Sequence, residues 1–394
     1  MILGIDAFNL RVGGGVTHLV ELLRAVEPHA HGFDLVIVWG GEATLAKIDD
    51  KDWLHKVYEP LLDRGLLHRV LWQHFRIRNL ARRAGCDVLF VPGGSDASGF
   101  RPMVTMSQNM LPFEWREMRR FGWSLYLLKF LLLRWTQSRS FRKADGVIFL
   151  TRYARDAVLK VTGALRAKIA VIPHGINPQF LMAPRPQSSL SDMNEEQPCR
   201  LLYVSIVDPY KHQWHVAEAV SQLRLAGIPV NLELVGPPAG GMNRLKETLK
   251  RLDPEGNFIN YRGAVPYEDL HTLYKAADIG VFASSCENLP NILIECMAAG
   301  LPIACSQMGP MPEVLGDAGV YFDPESPDDI ARALRKLIDY PDLRAKAAHA
   351  AFDRVQQYSW KRCADETFGF LARICRTEHS VAPLYEKDSS SSPH

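Results

Sequence analysis

Short apolar runs alternate with amphipathic stretches along most of the chain. Runs at 2–6, 34–39, 87–91, 103–106, 147–150 and 169–172 are rich in Val, Ile, Leu and Phe and bounded by turn residues. Such runs are the signature of strands buried on both faces, as in parallel sheets. Between most of them, apolar positions recur at helical spacing, at 16–26, 71–84, 115–142 and 152–161. The pattern restarts after Arg200, with predicted strands at 201–205, 231–235, 258–261, 279–283, 302–305 and 319–322. Predicted helices lie between them at 213–225, 242–252, 267–277, 290–299 and 327–339. The alternation predicts an α/β fold made of two doubly wound units. The polar, Pro- and Ser-rich stretch 183–198 reads as a linker or surface loop. From 339 the pattern is helical to about 376, and the Ser-rich end is expected to be disordered. No repeat is evident at the residue level.

The chain has 394 residues, which at roughly 150 per domain suggests two or three domains. With 47% apolar and 23% charged residues, disorder is excluded as the main state. Net charge is only +2, but residues 1–180 hold 25 Lys and Arg against 16 Asp and Glu, a net +9, leaving −7 for the remainder. A basic half could meet nucleic acid, an anionic membrane or an anionic ligand, or be a solvated surface. The seven cysteines are odd in number and scattered, with no C-x-x-C. That argues against a disulfide framework or structural zinc and for a reducing, cytoplasmic setting. No signal peptide is expected, because Asp6 interrupts the first apolar run. The most apolar stretch, 123–135, is too short to span a bilayer and contains Lys129 and Arg134.

Three segments carry candidate chemistry. Gly13, Gly14 and Gly15 lie between the first predicted strand and helix. Glycines there let backbone amides approach an anion at a helix start, or make a plain tight turn. The dinucleotide fingerprint G-x-G-x-x-G fails, since His18 takes the third glycine position. Lys211 follows the first strand of the second unit, at the end of a parallel strand where open α/β sheets bind ligands. It reads as a diphosphate partner or as a solvated Lys. The third segment runs from Phe282 through Glu287, Asn288, Leu289, Pro290 and Asn291 to Glu295, Gly300 and Pro302. Pro290 suits a first helical turn, and the amides of 288–291 are expected to face phosphate oxygens. The helix dipole alone accounts for an acid at 287 but not for Glu295. Carboxylates beside a phosphate site suit hydrogen bonds to sugar or ribose hydroxyls.

The stretch from Glu287 to Glu295 resembles the E-x7-E motif of retaining GT-B glycosyltransferases, the family 4 type also called glycosyl transferases group 1. The likeness extends to the Gly-rich loop, the Tyr210-Lys211 loop, the Val235-Gly236-Pro237 loop and the segment from Arg262 to Val265. It also covers the tail from Gly300 and the segment from Pro312 to Gly319. The resemblance implies two Rossmann-like domains facing a cleft: an acceptor domain at 1–180 and a nucleotide-sugar domain at 181–357. A crossover helix at 358–376 would return to the first domain, with a tail at 377–394. It implies that Glu287 and Lys211 are catalytic. Glu287 would meet donor-sugar hydroxyls, Glu295 the ribose, and Lys211 the leaving diphosphate. Gly14, Gly15, Ser205, Gly236, Val265, Asn288, Leu289, Pro290 and Asn291 would complete the donor site. Gln108, Asn109 and His174 would stand on the acceptor side.

Two departures bear on mechanism. Enzymes of this type commonly carry an Arg shortly before the Lys, where this chain has Ile206 and Val207. Many carry His-Asp where it has Gln108-Asn109, a neutral pair that cannot act as acid or base near pH 7. The resemblance implies metal-independent, retaining transfer from a GDP- or UDP-linked sugar, with no cofactor and no metal site. The acceptor would be a glycan or lipid-linked molecule, in assembly of bacterial surface polysaccharide or lipopolysaccharide. A 2-epimerase of nucleotide sugars on the same fold is the nearest alternative, and a non-catalytic nucleotide-sugar-binding subunit the next. Nucleic acid is not expected as a partner. Residues 116–143 mix Trp123 and Trp135 with Arg119, Arg120, Lys129, Arg134, Arg139 and Arg142. They read as a helix covering the sheet or as one that touches anionic lipid from a cytoplasmic, peripheral position.

Overall fold

The computed structural model describes residues 1–11 and 13–381. The first domain holds strands β1 (Ile2–Asp6), β2 (Leu35–Gly40), β3 (Leu54–Tyr58), β4 (Val88–Val91), β5 (Met103–Met106), β6 (Gly146–Phe149) and β7 (Lys168–Val171). All pair in parallel, in the order β3-β2-β1-β4-β5-β6-β7. The second holds β8 (Cys199–Val204), β9 (Val230–Val235), β10 (Ile259–Gly263), β11 (Ile279–Phe282), β12 (Ile303–Ser306) and β13 (Val320–Phe322). These are also parallel, in the order β10-β9-β8-β11-β12-β13. In each sheet the order reverses beside its first strand, between β1 and β4 and between β8 and β11. Crevices for ligands form at such reversals. The two Rossmann-like sheets face one another, which is the GT-B architecture.

The strands follow their sequence signature where they are central: β4, β5, β6, β11 and β12 are buried throughout. The strand missed by the apolar-run criterion is β3, LHKVY, which lies at a sheet edge with His55 and Tyr58 exposed. The predicted helix at 115–142 is broken. A turn at Trp115–Met118 runs into a 3-10 turn at Arg119–Phe121. Gly122, at φ 59°, then ends it. The helix restarts at Leu125–Lys143 with Ser124 as its cap. The helical region predicted at 71–84 begins already at Leu66 and passes through a wide π turn at Gln73–Ile77. Short helices at Glu42–Leu45 and Met311–Leu315 carry too few residues to show a period.

The closing helix, Trp360–Val381, packs against the first helix, Gly14–Ala25. It extends past the expected end at 376, so 377–381 are helical backbone rather than tail. The expected disorder of the last residues otherwise falls on 382–394, outside the described residues. One apolar cluster runs from the first helix through Phe368 and Leu371 of the closing helix into the second domain. A second fills the other face of the first sheet and takes in Cys286, with Tyr210 packed against it. The two domains thus share core as well as linkers.

The polar linker is tied down. Arg344, only 2% exposed, donates to the carbonyls of Leu337 at 2.8 Å and Ile338 at 2.6 Å, to Gln187 at 3.2 Å and to the Ser188 carbonyl. The outgoing chain also touches the second domain, through Met182 N–H to Ala298 O at 2.8 Å, and the returning chain, through Ile176 N–H to Tyr358 O at 3.2 Å. A Cβ on Gly175 would lie 2.1 Å from the Trp360 nitrogen, so only glycine lets these backbones meet. Gly175→Ala is expected to destabilise the protein by about 1–3 kcal/mol through overpacking. Urea denaturation checks this, and a change below about 0.5 kcal/mol would show that the junction yields freely.

Candidate active site

The loops after β8 and β11 meet at the switch point of the second sheet. Tyr203, on β8, donates its hydroxyl to the Lys211 carbonyl at 2.7 Å and so folds the β8 loop back over the strand. Gly236, at φ 145°, holds the neighbouring β9 loop close, since a Cβ there would sit 2.1 Å from Ser205 O. Lys211 is 6% exposed, which overturns the solvated reading. Its ammonium pairs with Glu287, whose side chain retains 16% exposure toward the cleft. The Tyr210 and Phe282 rings lie 5.0 Å and 5.6 Å from the Lys211 Nζ. A charge so desolvated needs a carboxylate partner. Ile206, where an Arg was absent from the sequence, is partly exposed, and Val207 is buried.

The helix Asn291–Ala298 follows the Glu287 loop, as its sequence predicts. The amide of Asn291, expected free, donates to Leu289 O at 2.9 Å. Leu289 and Pro290 are buried, leaving the exposed Asn291 at the cleft. Glu295 lies deeper, 3% exposed, and accepts from the Tyr274 hydroxyl at 2.8 Å and from Tyr267. Burial pushes its carboxyl up to about 7, and the two tyrosines only partly offset that. Neither tyrosine stands out in the sequence, because each is one aromatic in an ordinary amphipathic stretch. Val265 is half-buried beside the same core.

The Gly-rich loop of the first domain faces this helix. A Cβ on Gly14 would lie 3.8 Å from Asn291 Nδ2, and one on Gly15 would lie 3.0 Å from Gln108 Oε1. Gln108 and Gly15 therefore adjoin, whereas Asn109 turns its Oδ1 to the Leu111 amide at 3.1 Å and shapes a local turn. His174, expected on the acceptor side, is buried behind Asn291, to which it hydrogen-bonds. It stacks on His18 at 4.5 Å and on Trp360 at 5.7 Å between ring centroids. Burial pulls His18 down to about 4 and His174 well below its usual value, so two uncharged imidazoles can stack at the hinge.

The cleft walls are joined by polar contacts that no sequence motif announced. Asn288 O accepts from Thr151 Oγ1 at 3.0 Å, and Asn288 Nδ2 donates to Ser107 at 3.3 Å. Both carboxylate oxygens of Glu313 accept backbone amides across the cleft, from Arg152 and Tyr153, each at 2.8 Å. They occupy the start of the helix Arg152–Thr162, where a negative charge suits the dipole. Glu117 accepts from Ser285 Oγ at 2.6 Å, and Arg116 and Arg120 both reach Glu325. Arg120 is thus committed to the cleft rather than to a lipid-facing surface. Among the described residues, no group of three or more His, Cys, Asp or Glu is arranged to hold a metal ion.

Comparisons with known proteins agree with this geometry. The family model described as "Glycosyl transferases group 1" matches residues 191–354, and "Glycosyltransferase Family 4" matches 12–180. The chain is 31% identical over 167 residues to an O-antigen chain mannosyltransferase B of Escherichia coli, covering 42% of this chain and 44% of that one. It is 33% identical over 136 residues to a D-inositol 3-phosphate glycosyltransferase of Corynebacterium kroppenstedtii, covering 33% and 30%. The aligned stretches thus span less than half the length of these curated relatives. Among solved structures, sucrose-phosphate synthase from Thermosynechococcus elongatus superposes with TM-score 0.73 at 17% identity, over 97% of this chain and 100% of that one. Anabaena HepE in complex with UDP-glucose superposes with TM-score 0.68 at 18% identity, over 97% and 100%. With its two halves matched in order by the two models and its sheets in the GT-B arrangement, the chain belongs to the family 4 type of GT-B glycosyltransferases.

Proposed function

We propose that the protein transfers a sugar from a nucleoside-diphospho-sugar to an acceptor hydroxyl with retention of configuration and without a metal ion. The observation that carries this reading is the buried Lys211–Glu287 pair, set between the two loops of the donor-side switch point, with Gly14 of the other domain beside Asn291 at the start of the next helix. Lys211 would neutralise the departing diphosphate, and Glu287 would hold sugar hydroxyls. Gln108 and Asn109 offer no titratable group, so the acceptor proton would go to the departing phosphate oxygen. The C1–O bond to phosphate breaks as the C1–O bond to the acceptor forms on the same face.

The relative named for O-antigen chain mannosyl transfer supports a bacterial surface-glycan setting, with a glycan or lipid-linked acceptor. A membrane-surface acceptor is favoured by a further feature. Trp123, Leu125, Tyr126, Leu128, Leu132 and Trp135 are exposed beside the exposed cations Arg119, Lys129 and Arg139. A sheet-covering helix would bury that row, so the covering role is left to Phe130 and Phe141. Leu66, Leu67, Leu71 and Phe75 expose a second apolar row. The two helical segments that carry these rows are both tied to the segment 95–98, through Ala97 N–H to Gln73 at 3.1 Å and Asp96 N–H to Ser140 at 2.8 Å. No helix among the described residues is long and apolar enough to cross a membrane. Peripheral contact with anionic lipid fits such a surface.

The activity test is release of UDP or GDP from a panel of sugar donors, with and without polysaccharide or lipid-linked acceptors, in EDTA. Glu287→Gln is expected to lower turnover roughly 30- to 150-fold, about 2–3 kcal/mol for a lost charge-assisted bond. Lys211→Ala should lose at least as much, since Ile206 and Val207 supply no second cation. Near-normal turnover in folded Glu287→Gln would refute the assignment. A sugar product formed from donor alone would favour the epimerase reading, and strict dependence on manganese would refute the metal-free one.

Glu295 yields a pH prediction. Its carboxyl is raised to about 7, so it is protonated on the acid side and accepts a ribose hydroxyl best above that value. UDP or GDP affinity of the wild type, relative to Glu295→Gln, should rise as pH increases through 7 and reach about tenfold or more. Taking the ratio cancels the ionisation of the diphosphate. A ratio independent of pH between about 5.5 and 8.5 in calorimetry would remove Glu295 from the ribose site.

The membrane contact is tested by co-sedimentation with neutral and anionic vesicles at low and high salt. Binding should be confined to anionic vesicles, weaken with salt, and be lost on charge reversal at Arg119, Lys129 and Arg139. Each such charge contributes on the order of 1 kcal/mol at an anionic surface. Absence of binding at low salt, or equal binding to both vesicles, would point to a soluble acceptor.

A further inference from the structure

Between Trp115 and Phe121 the chain reads WREMRRF, and its one buried charged side chain is the acid. Glu117 is 3% exposed. Its Oε2 accepts from Arg120 Nε at 2.7 Å and from Ser285 Oγ at 2.6 Å, and its Oε1 accepts from Arg120 Nη2 at 3.3 Å. Ser285 belongs to the opposite domain and stands two residues before Glu287. It also touches the loop of Lys211 on both sides of the lysine. Its amide donates to Tyr210 O at 2.9 Å, and its Oγ lies 3.0 Å from His212 Nε2. A carboxylate has no proton to give, so the serine hydroxyl donates to Glu117 and its oxygen accepts from His212. That assigns the ring proton of His212 to Nε2. His212 holds φ 53°, a left-handed conformation unusual outside glycine, and caps the helix Gln213–Leu225. Such a turn persists only where its surroundings hold it. Outside the pair, Arg120 and Arg116 bind Glu325, again in the second domain.

Beside the Lys211–Glu287 pair itself, Ser285 is therefore a second tie between the two loops, and Glu117 is the first domain's grip on it. We propose that Glu117 is a positioning residue: through Ser285 it sets Lys211 and Glu287 in register for transfer, so that docking of the domains and alignment of the donor-side pair are one event. The proposal rests on the glycosyl-transfer reading above. It gives the first domain a part in the chemistry that is separate from holding an acceptor. It also accounts for a lone buried acid inside a basic segment, which a solvated or lipid-facing stretch would not require.

The test compares Glu117→Gln, Ser285→Ala and the double variant in the full-length protein. Affinity for UDP and GDP is measured by calorimetry, and turnover by UDP or GDP release from the donor the wild type uses. Affinity is expected to fall far less than kcat, because only the diphosphate meets Lys211 while the base and ribose would be held by groups that Ser285 does not touch. The kcat is expected to fall at least tenfold in each single variant. The double variant should lose little more than the worse single, within about threefold, since both substitutions cut one chain of contacts. Three results would overturn the proposal: a kcat loss below tenfold in either folded single variant, losses that multiply in the double variant, or nucleotide affinity falling in step with kcat. Ser285→Ala removes one oxygen and keeps the test open if Glu117→Gln does not fold. A wild type that binds UDP or GDP but releases neither from any sugar donor would instead overturn the reading of the reaction itself, and this proposal with it.

Discussion

A buried ammonium sets the terms for the cleft. Lys211 has little water around it and lies against Tyr210 and Phe282, so its charge must be met by a carboxylate within reach. Glu287 can meet it only because β8 and β11 are neighbours at the switch point, which brings their following loops to one level. The short turn held by Tyr203 and the left-handed His212 deliver the lysine, and the all-buried strand β11 delivers the glutamate. The pair is therefore a consequence of strand order rather than of sequence proximity, since 76 residues separate its members.

The same constraint crosses to the other domain. Polar atoms at the cleft edge are desolvated as the sheets approach, and each needs a partner from the facing wall. Thr151 meets the Asn288 carbonyl, Glu313 meets two amides, and Glu117 meets Ser285. These contacts align the walls, while Cys286 and Tyr210 lend apolar surface to the first domain's core. At the hinge, Gly175 and Trp360 pass at backbone contact, and the His18–His174–Trp360 stack fills the space beside them. Uncharged imidazoles suit this position, because a protonated pair 4.5 Å apart would repel in a medium that screens poorly.

Charge is divided along the same lines. Five cations of the segment 116–139 divide between two surfaces. Arg116 and Arg120 reach Glu325 of the second domain, whereas Arg119, Lys129 and Arg139 are exposed beside exposed Trp and Leu. One basic segment thus serves the domain contact with some residues and presents an amphipathic face with others.

Apolar runs identified twelve of the thirteen strands by position, most plainly β4, β5, β6, β11 and β12, because a strand covered on both faces must be apolar along its length. The edge strand β3, LHKVY, escaped because His55 and Lys56 interrupt its apolar run. The Gly-rich loop was legible from local backbone geometry, and the E-x7-E spacing and Lys211 from the family motif they resemble. The partners of those residues were not. Tyr267 and Tyr274 beside Glu295, Ser285 beside Glu117, and His174 behind Asn291 are brought together by the order of parallel strands and the approach of two domains. A lone acid among arginines was the one trace of this in the sequence, and composition alone could not say which arginines it would face. By itself the sequence determined the elements, their alternation and the residues able to carry charge into a cleft. Only the tertiary structure decided which charges were desolvated, because burial depends on what packs across the gap and not on what lies next along the chain.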